Sequence, residues 1–407
     1  MATFSSSDIL LPKSAPMATW AVIACDQFVS QPEYWQRVRQ QVGSAPSSLQ
    51  LILPEADLGV DDNARIDAIN QAMLQYQTDG VFQSYPASYV YVERTLQNGS
   101  VRKGIVGAVD LEDYDYTPGS GSPIRATERT VAERIPPRMN IRRNASLELP
   151  HVLLLCDDPR HFLLDSVEAK KDSLPLVYDF DLMEEGGHIR GWLVTGKDRE
   201  AFDASLADYE SFCREKFGEN PVYYAVGDGN HSLASAKGCY EEMKASGRDM
   251  TGHPARYALV ELENIHDDSQ QFEPIHRIVK DTDPAALLAA LQSQACAEGG
   301  YPLQWFAGES SGTVMLKLAS GQLPVGALQN FLDSYLSDHA GETDYIHGDK
   351  DLTDLSAQPN AIGFLLPAME KGQLFPGIIA DGVLPRKTFS MGHAREKRYY
   401  LEARKIR

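Results

Sequence analysis

The stretch Tyr223–Lys237, YYAVGDGNHSLASAK, decides how the rest of the chain is read. Val222–Val226 is an apolar run of β-favouring residues, and Gly227 and Gly229 bracket Asp228 with turn chemistry. From Ser232 the period changes, with Leu233, Ala236, Tyr240 and Met243 recurring at helical spacing. The pattern predicts strand, tight turn and helix, with Asp228, Asn230, His231 and Ser232 gathered at one corner. A helix N-terminus carries unpaired N–H groups and partial positive charge, so it suits a phosphate or carboxylate. Glycines let backbone approach such a ligand closely. A structural corner capped by Asn or Ser would explain most of this. It would not explain His231, because a cap needs no imidazole.

Outward from that corner, the 407 residues allow two domains, and 43% hydrophobic with 23% charged residues is ordinary for a globular protein. The net charge of −19 argues against nucleic acid as a partner, which requires a basic footprint. The expectation is a soluble cytoplasmic protein acting on a small molecule, with its oligomeric state open. The five cysteines are scattered without a C-x-x-C, so neither a disulfide framework nor a structural zinc site is indicated. No signal-peptide pattern and no membrane-spanning run is seen, so no membrane partner is expected.

Before the corner, Trp20–Ala24 reads as a short buried strand ending at Cys25-Asp26-Gln27. Ser30 to Glu33 fits a capping box for a helix carrying Tyr34, Trp35, Val38 and Val42. Tyr89–Leu96 and Val101–Leu111 flank Asn98-Gly99, a type I′ hairpin signal. Ser122-Pro123 is expected to open a helix that stops before Pro136-Pro137. Leu176–Leu182 and His188–Thr195 read as a second hairpin, and Asp198 as the cap of a long helix ending at Gly218. After the corner come a strand over Arg256–Leu262, a softer boundary near residue 280, and an α+β segment with a basic tail from Pro385. Expected domains are therefore 1–280 and 281–407. Irregular alternation with hairpins indicates an α+β fold with mixed sheets.

The run from Arg125 to Arg143 stands out in so acidic a chain. It holds Arg125, Arg129, Arg134, Arg138, Arg142 and Arg143, with Glu128 among them. Such runs usually form a solvated face, but arginine rather than lysine suits a bidentate grip on phosphate. Arg386 and Lys387 in the tail, and His276-Arg277 after the corner, are further anion-binding candidates. There is no G-x-G-x-x-G after a strand, no P-loop, no H-E-x-x-H and no G-x-S-x-G, so those site classes fall away.

Seven segments carry a resemblance over most of the chain. They are IRATERTVAERIPPR at 124–138, NASLELPHVLLL at 144–155, YDFDLMEEGGHIRGW at 178–192, GDGNHSLASAK at 227–237, PIHRIV at 274–279, IGFLLPAM at 362–369 and DGVLPRKTFSMG at 381–392. By them the chain resembles a widespread bacterial family known as a domain of unknown function. Its corner is also similar to the nucleotide-binding turn of the ParB/sulfiredoxin-like fold, which includes free-serine kinases. That resemblance implies a ParB/sulfiredoxin-like core plus a C-terminal α+β subdomain. It carries Asp228, Gly229 and His231 over directly, while Asn230 and Ser232 stand where relatives have His and Arg. It also implies a carboxylate at the end of the first strand acting as base, a position Asp26 fills.

The expectation is a nucleotide-dependent small-molecule phosphotransferase using ATP or ADP with Mg²⁺, acting on a free amino acid such as serine. Asp26 would be the base, and His231 with Gly229, Asn230 and Ser232 would hold phosphates. Arg125, Arg129 or Arg134 would neutralise charge, and Asp228 would meet the nucleotide's magnesium. The alternatives are a non-catalytic nucleotide- or metabolite-binding protein, or a metal-dependent hydrolase using Asp228, His231, His266, Asp267 and His276.

Overall fold

The computed structural model describes residues 2–59, 61–296, 299–385 and 387–407. It is α+β, and the chain divides into two compact units. The first comprises Met1–Ala126, Thr130–Gln270 and Gly392–Arg407, and the second Thr127–Arg129 and Gln271–Met391. The boundary expected near 280 falls at the end of the strand Phe272–Lys280, whose pairing is with second-unit strands. The last sixteen residues fold with the first unit, because their apolar residues Tyr399, Tyr400, Leu401 and Ala403 complete its core.

Among the described residues, the first unit is built on an eleven-stranded mixed sheet. Its path runs Leu176–Asp181, His188–Val194, Phe82–Thr95, Val101–Asp110, Tyr257–Asn264, Leu153–Cys156, Tyr224–Asp228, Ile124–Ala126 and Tyr114–Asp115. Tyr224–Asp228 runs parallel to Ile124–Ala126 and antiparallel to Leu153–Cys156. Both sheet faces are covered, which is why its strands read as near-continuous apolar runs. Val90 and Val92 join one core with Trp20, Trp35 and Tyr399, while Tyr89 and Tyr91 join another with Phe202, Leu206 and Leu233. The alternation is the two-residue period of a strand.

The same period explains a buried ionic layer. Along Tyr257–Asn264, Ala258, Val260 and Leu262 face one core, so Glu261 and Glu263 point to the face where the tail lies. Arg398, 2% exposed, pairs there with both Glu261 and Glu402. The Tyr178 hydroxyl donates to Glu402 at 2.7 Å, and Arg102 Nε lies 3.0 Å from Glu263 Oε1. Gly104 makes the room, since a Cβ there would fall 2.4 Å from Glu261 Oε1. Arg94 donates to the carbonyls of Gly186 and Lys397 at 2.8 and 2.7 Å.

In the second unit, strands Ser310–Leu316, Tyr301–Ala307, Ile362–Leu365, Phe272–Lys280 and Glu342–His347 form an antiparallel sheet, with Phe389–Met391 added to Phe272–Lys280. Asp283 caps the helix Pro284–Ser293 by accepting from the amides of Ala285 and Ala286.

Several local expectations are corrected. Ile124–Ala126 is a strand, and Pro136-Pro137 lie in the first turn of the helix Ile135–Arg143, where proline costs no hydrogen bond. The first hairpin turns through a three-residue loop. Leu96 N donates to Ser100 O at 2.8 Å, and Gly99 at φ +83° is its one left-handed residue, so the turn is not type I′. Trp20 ends a helical turn, Met17–Trp20, leaving Val22–Ile23 as the strand. The helix Pro32–Val42 starts at Gln31 with no side-chain cap. The helix Gly196–Phe217 starts at Thr195 rather than Asp198.

Candidate functional site

The corner forms as strand, turn and helix, shifted slightly from the sequence reading. The strand is Tyr224–Asp228 and the helix Asn230–Ala245. Gly227 sits in a bulge, since the pairing with Leu153–Cys156 shifts register between Val226 and Asp228. Gly229 at φ +81° turns the chain into the helix, which opens with no side-chain cap. A Cβ at Gly229 would lie 3.0 Å from both His151 Cδ2 and the Val152 Cα. Gly229→Ala is expected to cost about 1–2 kcal/mol from the left-handed backbone alone, read as a lower urea midpoint, because Val152 backbone cannot yield.

Around this turn the first unit assembles charged groups from distant parts of the chain. Asp228 Oδ1 accepts from the Gly229 amide at 2.9 Å, and Oδ2 lies 3.2 Å from Lys397 Nζ. Asp26 follows the strand Val22–Ile23, which pairs with Tyr399–Tyr400 so that Ala24 N donates to Arg398 O at 2.8 Å. That pairing sets Asp26 and Lys397 close enough to interact. Burial raises the Asp26 carboxyl, but His151 in its protonated form, the Gln27 amide, Lys397 and Arg138 outweigh it and hold the group below its ordinary value. Glu55 is pushed up by burial, with Arg138 opposing and Asp26 reinforcing. Glu55 N donates to Cys25 O at 2.8 Å, and its carboxylate pairs with Arg138. The Cys25 thiol is pushed up to about 12 by burial and by Asp26, which leaves it protonated and a poor nucleophile.

The arginine run does fold back along the corner helix, but its members divide. Val131 N donates to His231 Nε2 at 3.2 Å, and Gly238 leaves room for Met139. Arg138 reaches Glu55 and acts on Asp26, and Arg134 acts on Glu55. Arg142 pairs with Glu148 and Arg143 with Glu242. Arg125 is buried and donates to the carbonyls of Ser122 and Asn220 at 2.9 and 2.8 Å, a structural tie rather than an anion grip. His231 spends Nε2 on the Val131 amide, so that nitrogen holds the arginine segment. Asn230 Oδ1 is buried with no hydrogen-bond partner among the described residues. Ser232 lies in the helix's first turn.

Other candidates belong to the second unit. Glu128 and Arg129 are grouped there, with Glu128 bridged to Leu384. Arg277 is fully buried, donating to Gln329 Oε1 at 2.8 Å and to the Ile275 and Lys387 carbonyls. His276 accepts from Leu366 N at 3.1 Å through Nδ1 and lies 3.0 Å from Asp349 through Nε2. Both side chains are committed to internal contacts. Lys387 adopts φ +57°, and Arg386 lies outside the described residues.

The hydrolase constellation disperses: His266 pairs with buried Asp157 at 2.7 Å, and His276 is in the second unit. No three His, Cys, Asp or Glu among the described residues are grouped to hold a metal ion. No helix among them is long and apolar enough to cross a membrane.

Sequence reasoning missed Lys397, His151, Glu55 and the role of Arg138. The site it defines is a carboxylate–lysine–histidine cluster at the mouth of a glycine turn on an α+β scaffold. The chain carrying it belongs to the family described as "Protein of unknown function (DUF1015)", matched over residues 8–405. Among solved structures it is similar to a free serine kinase in complex with AMP, at 12% identity over 74% of this chain and 91% of that one, TM-score 0.35. It is also similar to a conserved hypothetical protein from Pyrococcus furiosus, at 12% identity over 72% and 90%, TM-score 0.34. A third is SbnI with a C-terminal truncation from Staphylococcus aureus, at 10% identity over 70% and 83%, TM-score 0.35. No curated protein matches the chain.

Proposed function

We propose that the cluster binds a nucleotide di- or triphosphate and transfers its terminal phosphoryl group to a small hydroxyl-bearing molecule. The carrying observation is that Lys397 pairs with Asp228 beside the uncapped start of the helix Asn230–Ala245 and also acts on an ionised Asp26. Phosphoryl transfer is chiefly positioning and charge stabilisation, and these are the parts it needs. The acceptor oxygen bonds the terminal phosphorus as its proton passes to the Asp26 carboxylate. The bond to the bridging oxygen breaks, and the leaving nucleotide keeps the electron pair, with Lys397 and Arg138 countering its charge. Asn230 Oδ1, without a hydrogen-bond partner among the described residues, is an acceptor for a ligand hydroxyl or amine.

Magnesium at Asp228 does not fit the side chains as arranged. One oxygen takes the Gly229 amide and the other faces Lys397, so no step here runs through the ion. Serine is the acceptor to try first, because the turn resembles that of free-serine kinases.

The test is incubation with ATP or ADP and free serine, followed by detection of phosphoserine, with calorimetric titration of each nucleotide. Turnover is expected with at least one of them. The engagement of both Asp228 oxygens and of His231 Nε2 favours a second reading, a binding protein without catalysis. Thermal stabilisation by nucleotide without phosphoserine would select it.

A further inference from the structure

His151 immediately precedes the run into the strand Leu153–Cys156 and is 7% exposed. Its ring meets the glycine turn through Cδ2, which is bonded to Nε2. Its ring stands within electrostatic reach of both Asp26 and Glu55. On the other side Nδ1 lies 2.8 Å from the Tyr400 hydroxyl. That hydroxyl is itself buried and accepts from Cys25 N at 3.3 Å. A buried O–H needs an acceptor. Two are within reach, His151 Nδ1 and the Cys25 sulfur, and sulfur is a weak one. The hydroxyl proton therefore goes to Nδ1, and the neutral imidazole carries its own proton on Nε2. Nε2 has no hydrogen-bond partner among the described residues.

We infer that Tyr400 fixes His151 as its Nε2–H tautomer, and that this N–H is a further ligand-binding donor, aimed at an anionic oxygen held at the Gly229 turn. The choice of phosphate as that anion rests on the proposed function; the tautomer does not. A neutral, pre-oriented donor adds a hydrogen bond to the ligand without placing another full charge beside Lys397. Backbone amide, tyrosine and histidine form a relay from Cys25 to the ligand. Its order is set by pairing the strand Val22–Ile23 with Tyr399–Tyr400.

The experiment uses the full chain labelled with ¹⁵N-histidine and inorganic pyrophosphate as the probe. Long-range ¹H–¹⁵N spectra are expected to show His151 with a protonated Nε2 and an unprotonated Nδ1, and the Nε2–H resonance is expected to shift saturably with pyrophosphate. Tyr400→Phe is expected to mix the two tautomers. By calorimetry, His151→Gln, whose amide stands near Nε2, is expected to bind pyrophosphate within about threefold of wild type. His151→Asn, whose amide stands near Nδ1, is expected to bind about tenfold more weakly. A protonated Nδ1, an unmoved Nε2 resonance, or equal losses in the two variants would each overturn the inference. Pyrophosphate binding with these signatures but no response to ATP or ADP would sustain it while removing the nucleotide reading.

Discussion

Replacing Arg398 with alanine is expected to destabilise the first unit by about 3–5 kcal/mol, because it strands two buried carboxylates. Glu261 and Glu402 are 2% and 0% exposed, and both pair with this guanidinium. The ionic layer as a whole need not stabilise the fold, since desolvating its members is costly. Removing one partner is different, because the remaining charges can neither reach water nor find another cation of equal geometry. Arg102 and Arg94 are already engaged, with Glu263 and with backbone carbonyls. The measurement is urea unfolding followed by tryptophan fluorescence; Trp20, Trp35 and Trp192 of the four tryptophans report on the first unit. The double variant Arg398→Met with Glu402→Gln is expected to recover part of the loss. An unchanged midpoint for Arg398→Ala would mean that the layer does not hold the tail. Because Lys397 is the adjacent residue, nucleotide affinity is expected to fall with stability in the single variant.

Asp26→Asn is expected to reduce phosphoserine formation by about 10²–10⁴-fold, the usual worth of a positioned base, while leaving ADP binding nearly unchanged. Asparagine keeps the shape and the contact with Gln27 but cannot take the acceptor's proton. Removing a negative charge beside the phosphates cannot weaken their binding electrostatically, so a loss confined to turnover identifies the base. The carboxyl lies below its ordinary value of 3.8, so wild-type turnover is expected to show no acidic limb from Asp26 above about pH 5. A low-lying carboxylate is a weak base, which a loose phosphoryl-transfer transition state tolerates. Full turnover in Asp26→Asn would end the base assignment and direct attention to Glu55.

Local pattern made much of this legible. The change of period at the glycine turn located the corner to within two residues, and Gly218 marks the end of its helix, where glycine does so for steric reasons. What failed were readings that required tertiary context. Pro136-Pro137 suggests an ending only to a reader who does not know that a helix starts there. Arg125 and Arg277 look like anion grips in sequence, yet each is spent on backbone carbonyls within its own unit. Lys397 is one of many basic residues in the tail, and His151 stands behind a proline at the head of an apolar run. One signal was available: Glu261 and Glu263 alternate with core residues in a strand buried on both faces, which demands arginines from somewhere.

The tail's place in the first unit has a consequence for biosynthesis. Residues 271–391 emerge from the ribosome before Tyr399 and Tyr400 can pair with Ile23 and Val22, before Ala403 can meet Leu10, and before Lys397 can reach Asp228. The second unit, contiguous but for three residues, can begin folding while the first still lacks its closing strands. Nascent chains interrupted within 271–391 would therefore carry the glycine turn but no lysine to complete it, so charge assembly at the corner waits on a segment made after the second unit.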